Sequence, residues 1–320
     1  MIAPVRPISG DDILAARARI AGTVLRTPLV RLDLGHGAPD IRLKLENLQP
    51  TNAYKIRGAA NAVAALSDAE RARDVWTISA GNAGQGVAYA ARQLGIPCTV
   101  VAIETAPQTK LDRMRALGAT ILPVSYDDAW RAAESHEYAG LEDATFIHPF
   151  DNHDFIAGHG TIGLEILEDA PDVRTIIAAI GGGGLISGVG SAIKAARPDV
   201  TVLGAEPETA APYAFSLSEG GPRKFPGWQA SFIDGAGGKS VTERMWQRMR
   251  PVTDGTITVS LDQTAEAVRL IAEKTRTIAE GAGALSLAAA LTGQAGEGPI
   301  VCIVSGGNID LKTFAELVAA

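Results

Sequence analysis

One lysine and three glycine-rich turns are the groups in this 320-residue sequence whose types and spacing could support chemistry. Lys55 lies in Glu46 to Ala59, ENLQPTNAYKIRGA, behind an alternating run, Ile41-Arg42-Leu43-Lys44-Leu45, that reads as a strand. Asn47, Gln49, Pro50, Thr51 and Asn52 stop that strand and offer a helix start near Ala53, which puts Lys55 in the first turn. The positive end of a helix dipole disfavours an ammonium there. Only the neutral amine attacks an electrophile, so the setting suits a nucleophile. Taken alone, such a lysine is an ordinary solvated residue.

The glycine turns change that balance. Thr175 to Ile180 runs as an apolar strand straight into Gly181, Gly182, Gly183 and Gly184, and a helix opens at Leu185. Four successive glycines let backbone N–H groups converge beside a helix N-terminus, which makes a cradle for phosphate. A nucleoside-triphosphate loop would need Gly-Lys-Ser/Thr, and none follows. A G-x-G-x-x-G turn fails in every frame because Ile186 and Ser187 occupy the last-glycine positions. Glu206, ending the next strand, stands where a ribose-binding acid would, which leaves a NAD-dependent dehydrogenase as a remoter alternative. The second turn, Ser79-Ala80-Gly81-Asn82-Ala83-Gly84, offers N–H groups and side-chain amide and hydroxyl to a carboxylate. The third, Ser305-Gly306-Gly307-Asn308, follows the apolar strand Pro299 to Val304.

Strands and helices that alternate position these turns. Strands are expected at 75–79, 98–103, 121–124 and 145–148, separated by helices at 85–94, 109–117 and 126–139. After a break at Pro149 to His153 come a helix near 160–168, strand 175–180, helix 185–196 and strand 201–206. Residues 207–240 read as an irregular substrate-side region. Helices at 262–280, 283–292 and 311–319 and a strand at 299–304 close the pattern, which is α/β with parallel strands and crossover helices. Ligands bind at the strand ends of such sheets, where all three glycine turns fall.

Composition narrows the classes. A formal net charge of −7 with no basic stripe argues against nucleic acid. Cys98 and Cys302 sit in apolar runs and read as core thiols. The start, MIAPVRPISG, lacks the apolar core of a secretion signal, and the uncharged stretch 175–193 is too rich in glycine and serine to span a membrane. A soluble, cytoplasmic protein is expected.

LKLENLQPTNAYKIRGA, SAGNAGQGVAYAARQLGIP, HPFDNHDFIAGHGTIGLEIL, GGGGLISG and VSGGNID together resemble, in order and across nearly the whole chain, the fold type II pyridoxal-phosphate enzymes, closest to the serine/threonine dehydratase (ammonia-lyase) family. The resemblance implies two open, mostly parallel twisted sheets flanked by helices, as in tryptophan synthase β. Residues 1–70 and 149–320 would form a large cofactor-binding domain and 71–148 a small mobile one. It further implies pyridoxal 5'-phosphate as cofactor, a homodimer, and loss of water from a β-hydroxy amino acid to give a 2-oxo acid and ammonia. Lys55 would form the Schiff base and take the Cα proton, and Gly181, Gly182, Gly183, Gly184 and the Leu185 N–H would hold the phosphate. Asn82 would bond the ring hydroxyl, Tyr54 would lie against the ring, Glu280 would stand beside the cofactor and Ser305 would face the pyridine nitrogen. Ser79, Ala80, Gly81, Asn82, Ala83 and Gly235 would surround the substrate. A neutral Ser305 leaves the ring a weaker electron sink than a carboxylate would, which suits prompt β-elimination.

The sequence also departs from that pattern. Thr51-Asn52-Ala53-Tyr54-Lys55 replaces Thr-Gly-Ser-Phe-Lys, Ala83 replaces a histidine, and His159 replaces a glutamine. A missing polar partner in a buried site is worth ~1–3 kcal/mol, enough to move substrate preference toward a bulkier or modified β-hydroxy amino acid. Ala80 stands where racemase-like members carry serine, which disfavours a racemase; β-replacement is the other alternative on this scaffold. Glu206 and Ala210 match two positions of a metal site of some relatives, but Pro212 replaces its aspartate, so no metal is expected. Asp310 reads as a cap for the last helix, and no regulatory domain is expected beyond residue 320. A catalytically silent protein that keeps the fold is the alternative from a different class.

Overall fold

In this computed structural model, residues 2–106 and 108–319 are described. The chain opens with α1 (Gly10–Ile20), β1 (Leu29–Arg31), β2 (Ile41–Lys44), α2 (Lys55–Ala64) and the single turn α3 (Asp68–Arg71). It then alternates through β3 (Val75–Ile78), α4 (Asn82–Gln93), β4 (Cys98–Ile103), α5 (Gln108–Ala116), β5 (Thr120–Val124), α6 (Tyr126–Ser135) and β6 (Thr145–Phe146). Next come α7 (His153–Asp169), β7 (Thr175–Ala179), α8 (Gly184–Ala196), β8 (Thr201–Pro207), α9 (Pro212–Ser218) and α10 (Glu243–Met249). The chain closes with β9 (Gly255–Val259), α11 (Leu261–Thr275), α12 (Gly281–Leu291), β10 (Ile300–Ile303) and α13 (Leu311–Ala319).

The strands form a six-stranded sheet, β1-β2-β10-β7-β8-β9, and a four-stranded one, β5-β4-β3-β6. Every pairing is parallel except β1 with β2. β7, Thr-Ile-Ile-Ala-Ala, is buried at each residue, as a central strand covered on both faces must be. One face of the large sheet packs on α11 and α12, and the other on α7 and α8. α2 and α4 share the apolar core of the small sheet.

Glycine sets how close the site-bearing helices come. An added Cβ on Gly158 of α7 would stand 2.8 Å from the Arg57 carbonyl carbon, and one on Gly163 would stand 2.8 Å from Ala192 Cβ of α8. α2, α7 and α8 therefore touch backbone to backbone. α4 crosses α2 in the same way, because a Cβ on Gly86 would lie 3.2 Å from the Lys55 carbonyl oxygen.

A buried charge network ties α2 to the large sheet. Arg57, two residues after Lys55, donates from Nε and Nη2 to Glu46 (2.7 and 2.8 Å) and from Nη1 and Nη2 to Glu165 of α7 (2.7 and 2.9 Å). Lys44 of β2 pairs with Glu165 at 2.6 Å and donates to the Thr27 carbonyl at 2.7 Å. Two cations and two carboxylates thus balance in the interior, where an unmatched charge would cost several kcal/mol.

The structure corrects several sequence expectations. α2 starts at Lys55 rather than Ala53 and has no side-chain cap, because Ala53 bridges to Gly306 and Asn52 turns at φ 54°. The break at Pro149 to His153 is shorter than expected: Asn152 Oδ1 accepts from the Phe155 N–H and starts α7 at His153. α6 stops at Ser135, with His136 left-handed at φ 61°. α11 stops at Thr275, with Arg276 left-handed, and Asn47 Nδ2 donates to the Ile278 carbonyl at 2.9 Å in the non-helical segment 277–280 that leads to α12. The region read as irregular holds α9 and a single 3₁₀ turn, Asp234–Ala236. Glu206 explains α9: its carboxylate accepts from the N–H groups of Tyr213 and Ala214 at 2.7 and 2.8 Å and from Thr256 Oγ1 at 3.2 Å. Both oxygens are engaged locally, so Glu206 serves as a helix anchor here. Among the described residues no helix is long and apolar enough to cross a membrane.

Candidate active site

Lys55 sits half-buried between Tyr54 and Phe155, its Nζ 5.3 and 5.4 Å from the two ring centroids. The amine donates to the Pro149 carbonyl at 2.7 Å. Burial lowers its pKa to about 7, so near neutrality a large share is the nucleophilic free amine.

The four-glycine turn packs on Phe150, the residue after that amine's carbonyl partner. Phe150 follows Pro149, and its carbonyl oxygen would stand 3.0 Å from a Cβ on Gly184; its ring closes on Gly182 within 2.6 Å of an added Cβ. On Gly181 a Cβ would meet the Gly235 carbonyl at 2.7 Å, and Gly183 is left-handed at φ 86°. Side chains are therefore excluded from the turn, and its N–H groups remain the feature it presents. α8 begins here without a side-chain cap, and its first backbone bond inside the turn is Ser187 N–H to Gly183 O. The N–H groups of Gly184, Leu185 and Ile186 precede that bond, which leaves an anion-binding set at a helix N-terminus. An amine next to such a cradle fits a phosphorylated aldehyde, the chemistry that pyridoxal phosphate carries.

The remaining predicted residues converge on the same cleft. α4 starts at Asn82 rather than Gln85, without a side-chain cap, and Ser79 Oγ accepts from the Gly81 N–H at 3.0 Å. Its first N–H groups, from Asn82, Ala83 and Gly84, precede the Gln85 to Gly81 bond. Ala80 is half-buried at the turn. Asn82 Nδ2 donates to Glu280 Oε1 at 2.6 Å. Glu280 is pushed up to about 7, chiefly by burial and then by the charge of Asp234. Gly235 lies beside it, with an added Cβ 3.7 Å from Glu280 Oε1. Ser305 is buried, donates to the Ala282 carbonyl at 3.3 Å, and accepts the Tyr54 N–H on its own carbonyl at 2.9 Å. Asp310 lies next to α13 as expected, but its Oδ1 accepts from Thr109 Oγ1 of α5 at 3.0 Å.

The sequence departures have local explanations. Ala53 and Ala83 are buried methyls, Ala83 in the core of the small sheet. His159 is fully buried and packs on Tyr54 (centroids 4.6 Å apart) and Phe155 (5.0 Å), and neither ring nitrogen has a partner. Burial holds it well below the usual histidine range, so it is a neutral packing group. Tyr54 and His159, two substitutions far apart in the chain, are thus one contact. His153 lies 3.2 Å from Asp12 on α1.

Sequence reasoning missed Arg113, Lys110 and Asp234, which join the two lobes at the rim of the cleft, and the bonding of Asn308, whose Nδ2 donates to Asn82 Oδ1 and the Thr51 carbonyl at 2.8 Å each. Arg113 and Lys110 lie on an exposed-looking amphipathic helix, where nothing in the sequence marks a cross-lobe partner.

The family described as "Pyridoxal-phosphate dependent enzyme" matches residues 20–306. The chain is 40% identical to an L-threonine ammonia-lyase of Thermotoga maritima, over 97% of this chain and 78% of that one. It is 36% identical to a catabolic L-threonine dehydratase of Staphylococcus aureus, over 97% and 92% of the two chains. Among solved structures it superimposes on maize serine racemase with a TM-score of 0.89 (34% identity, 97% of each chain). A threonine deaminase from T.th. gives 0.87 (36% identity, 94% and 99%). The chain belongs to the pyridoxal-phosphate-dependent enzyme family, with the fold type II arrangement of two mostly parallel sheets.

Proposed function

We propose that the protein is a pyridoxal-phosphate-dependent hydroxy-amino-acid dehydratase that releases a 2-oxo acid and ammonia, with L-threonine or L-serine as first candidates. The observation that carries this is a depressed-pKa amine bonded to the Pro149 carbonyl, with a side-chain-free anion cradle packed on the next residue, Phe150. Relatives named for threonine ammonia-lyase and threonine dehydratase activity support the reaction class.

Bound in this cleft, the cofactor supplies an aldehyde that condenses with amines and a conjugated ring that spreads the electron pair left at Cα. The chain supplies the rest. Lys55 Nζ would hold the aldehyde-bearing group and, as a free amine, would serve as the base at the substrate α-carbon. Gly181 to Gly184 and the Leu185 N–H would hold the phosphate, and Tyr54 would lie against the ring. Asn82, held by Glu280, would donate to the ring hydroxyl, and the neutral Ser305 would be the partner of the ring nitrogen. Ser79, Ala80, Gly81, Asn82 and Ala83 at the start of α4 orient the substrate carboxylate, with Gly235 opposite. The lobe 71–148 closes over the substrate and excludes water. The protein acts as a soluble, cytoplasmic homodimer.

Maize serine racemase is a near structural neighbour, but Ala80 has no proton to give to the face opposite Lys55. Elimination is therefore favoured over racemisation. Holoenzyme should release ammonia and 2-oxo acid from a panel of β-hydroxy amino acids, while substrate chirality is followed in parallel. Inverted substrate without 2-oxo acid, or full turnover by Lys55→Ala, would overturn the assignment.

A further inference from the structure

Three side chains of α5 reach across the cleft. Thr109 donates to Asp310 at 3.0 Å, Lys110 pairs with Asp234, and Arg113 Nη1 donates to Asn308 Oδ1 at 2.7 Å. The last contact opens a hydrogen-bond chain that runs one way. Asn308 Nδ2 donates to the Thr51 carbonyl and to Asn82 Oδ1, and Asn82 Nδ2 donates to Glu280 Oε1. A carboxamide can turn either end to a partner, so something must set its direction. Here the ends of the chain do so. The Arg113 guanidinium only donates and the Thr51 carbonyl only accepts. Asn308 must then turn its oxygen to Arg113 and its nitrogen to Thr51 and Asn82, which leaves the Asn82 nitrogen facing Glu280. Asn308 and Glu280 are 3% and 4% exposed, so bulk water offers few substitute partners.

We infer that Arg113 is a positioning residue: reaching from α5 to Asn308, it reinforces, with the Thr51 carbonyl, the donor direction of the Asn82 carboxamide and couples the seating of α5 to the cofactor site. This rests on the role proposed above for Asn82. Arg113 touches neither Lys55 nor the glycine cradle; it acts through two amides. Seating α5 completes the chain, and lifting α5 away removes its only obligate donor end.

The test compares wild-type protein with Arg113→Met, Arg113→Lys and Arg115→Met. Arg115 lies on the same helix and pairs within it to Asp112 at 2.8 Å, so its variant controls for loss of a charge from α5. Each apo-protein is titrated with pyridoxal phosphate, and the visible absorption band, kcat and KM for L-threonine and the melting temperature are recorded. Arg113→Met should weaken half-saturation by about tenfold and shift the band, with melting within about 2 °C of wild type. Arg113→Lys should recover part of the loss, since an ammonium also donates, and Arg115→Met should titrate as wild type. The inference is overturned if Arg113→Met titrates like wild type with an unshifted band. It is equally overturned if the loss comes with a lowered melting temperature and lysine does not restore it. Should wild-type protein release no 2-oxo acid, the proposed function fails while the titration still reads the coupling.

Discussion

Arg57→Met tests how the lysine helix is held. Arg57 gives Glu46 its two close guanidinium bonds, and Glu46 is fully buried. Without it Glu46 keeps only Thr27 and Gln49 as donors, whereas Glu165 keeps Lys44 at 2.6 Å. The penalty therefore falls on one carboxylate left without its main cation, and a loss of about 3–5 kcal/mol in unfolding free energy is expected near neutral pH. The pH dependence has a definite sign. Opposing burial, Arg57 leads the influences that hold the Glu46 carboxyl below its ordinary 4.5, so its contribution is present above that value and is lost as pH falls through the lower folded value. In the variant burial dominates, the folded carboxyl titrates above 4.5, and stability is lost as pH rises through it. The gap between the proteins should thus narrow on acidification, from about pH 8 toward about pH 5. Urea denaturation at both values measures it, and adding Glu46→Gln to Arg57→Met should recover part of the loss at the higher pH. A gap under about 1 kcal/mol at pH 8, or one that widens in acid, refutes this account of the network.

Two further outcomes follow from the site. Gly182→Ala places a methyl carbon within 2.6 Å of the Phe150 ring, so the folded protein should lose most of its bound cofactor; visible absorbance per chain after gel filtration measures this. Lys55, with its pKa lowered to about 7 by burial, should be acylated in the apo-protein with a rate that levels off above that pH, whereas an unperturbed amine keeps accelerating as the solution becomes more alkaline. Peptide mapping of a labelling time course across pH separates the two, and a Lys55 profile that matches the bulk lysines would falsify the burial argument.

The parts of the fold visible in the sequence are those set by local pattern. β7 is a short apolar run ending in four glycines, and both its strand and its turn stand where that pattern puts them. The same holds for α8, whereas α4 begins at Asn82, three residues ahead of its pattern. What was not legible depended on distant partners. The segment after α11 is held by Asn47, and α9 is created by Glu206 from the preceding strand. The use of Glu206 in ribose binding looked open because spacing does not show that backbone N–H groups of α9 already hold both oxygens. Lys55, Asn82, Glu280 and Ser305 were found through motifs, yet the hydrogen bonds joining Asn82 to Asn308 and Arg113 cross between lobes and leave no periodic trace. The pairing of Tyr54 with His159 is similar: each read as a separate departure, and only their ring contact shows one repacking.

The backbone contacts among α2, α7 and α8 bear on how this protein could change over time. With no layer of side chains between them to compress or slide, the lysine and the cradle behave like two marks on one ruler, and their spacing can hardly be retuned by ordinary substitutions. New substrate preference must then arise in parts that can shift without moving either mark. The helix α6, whose Trp130 lines the same pocket as Gly182, is such a part, and laboratory diversification aimed there should yield altered selectivity with the chemistry intact.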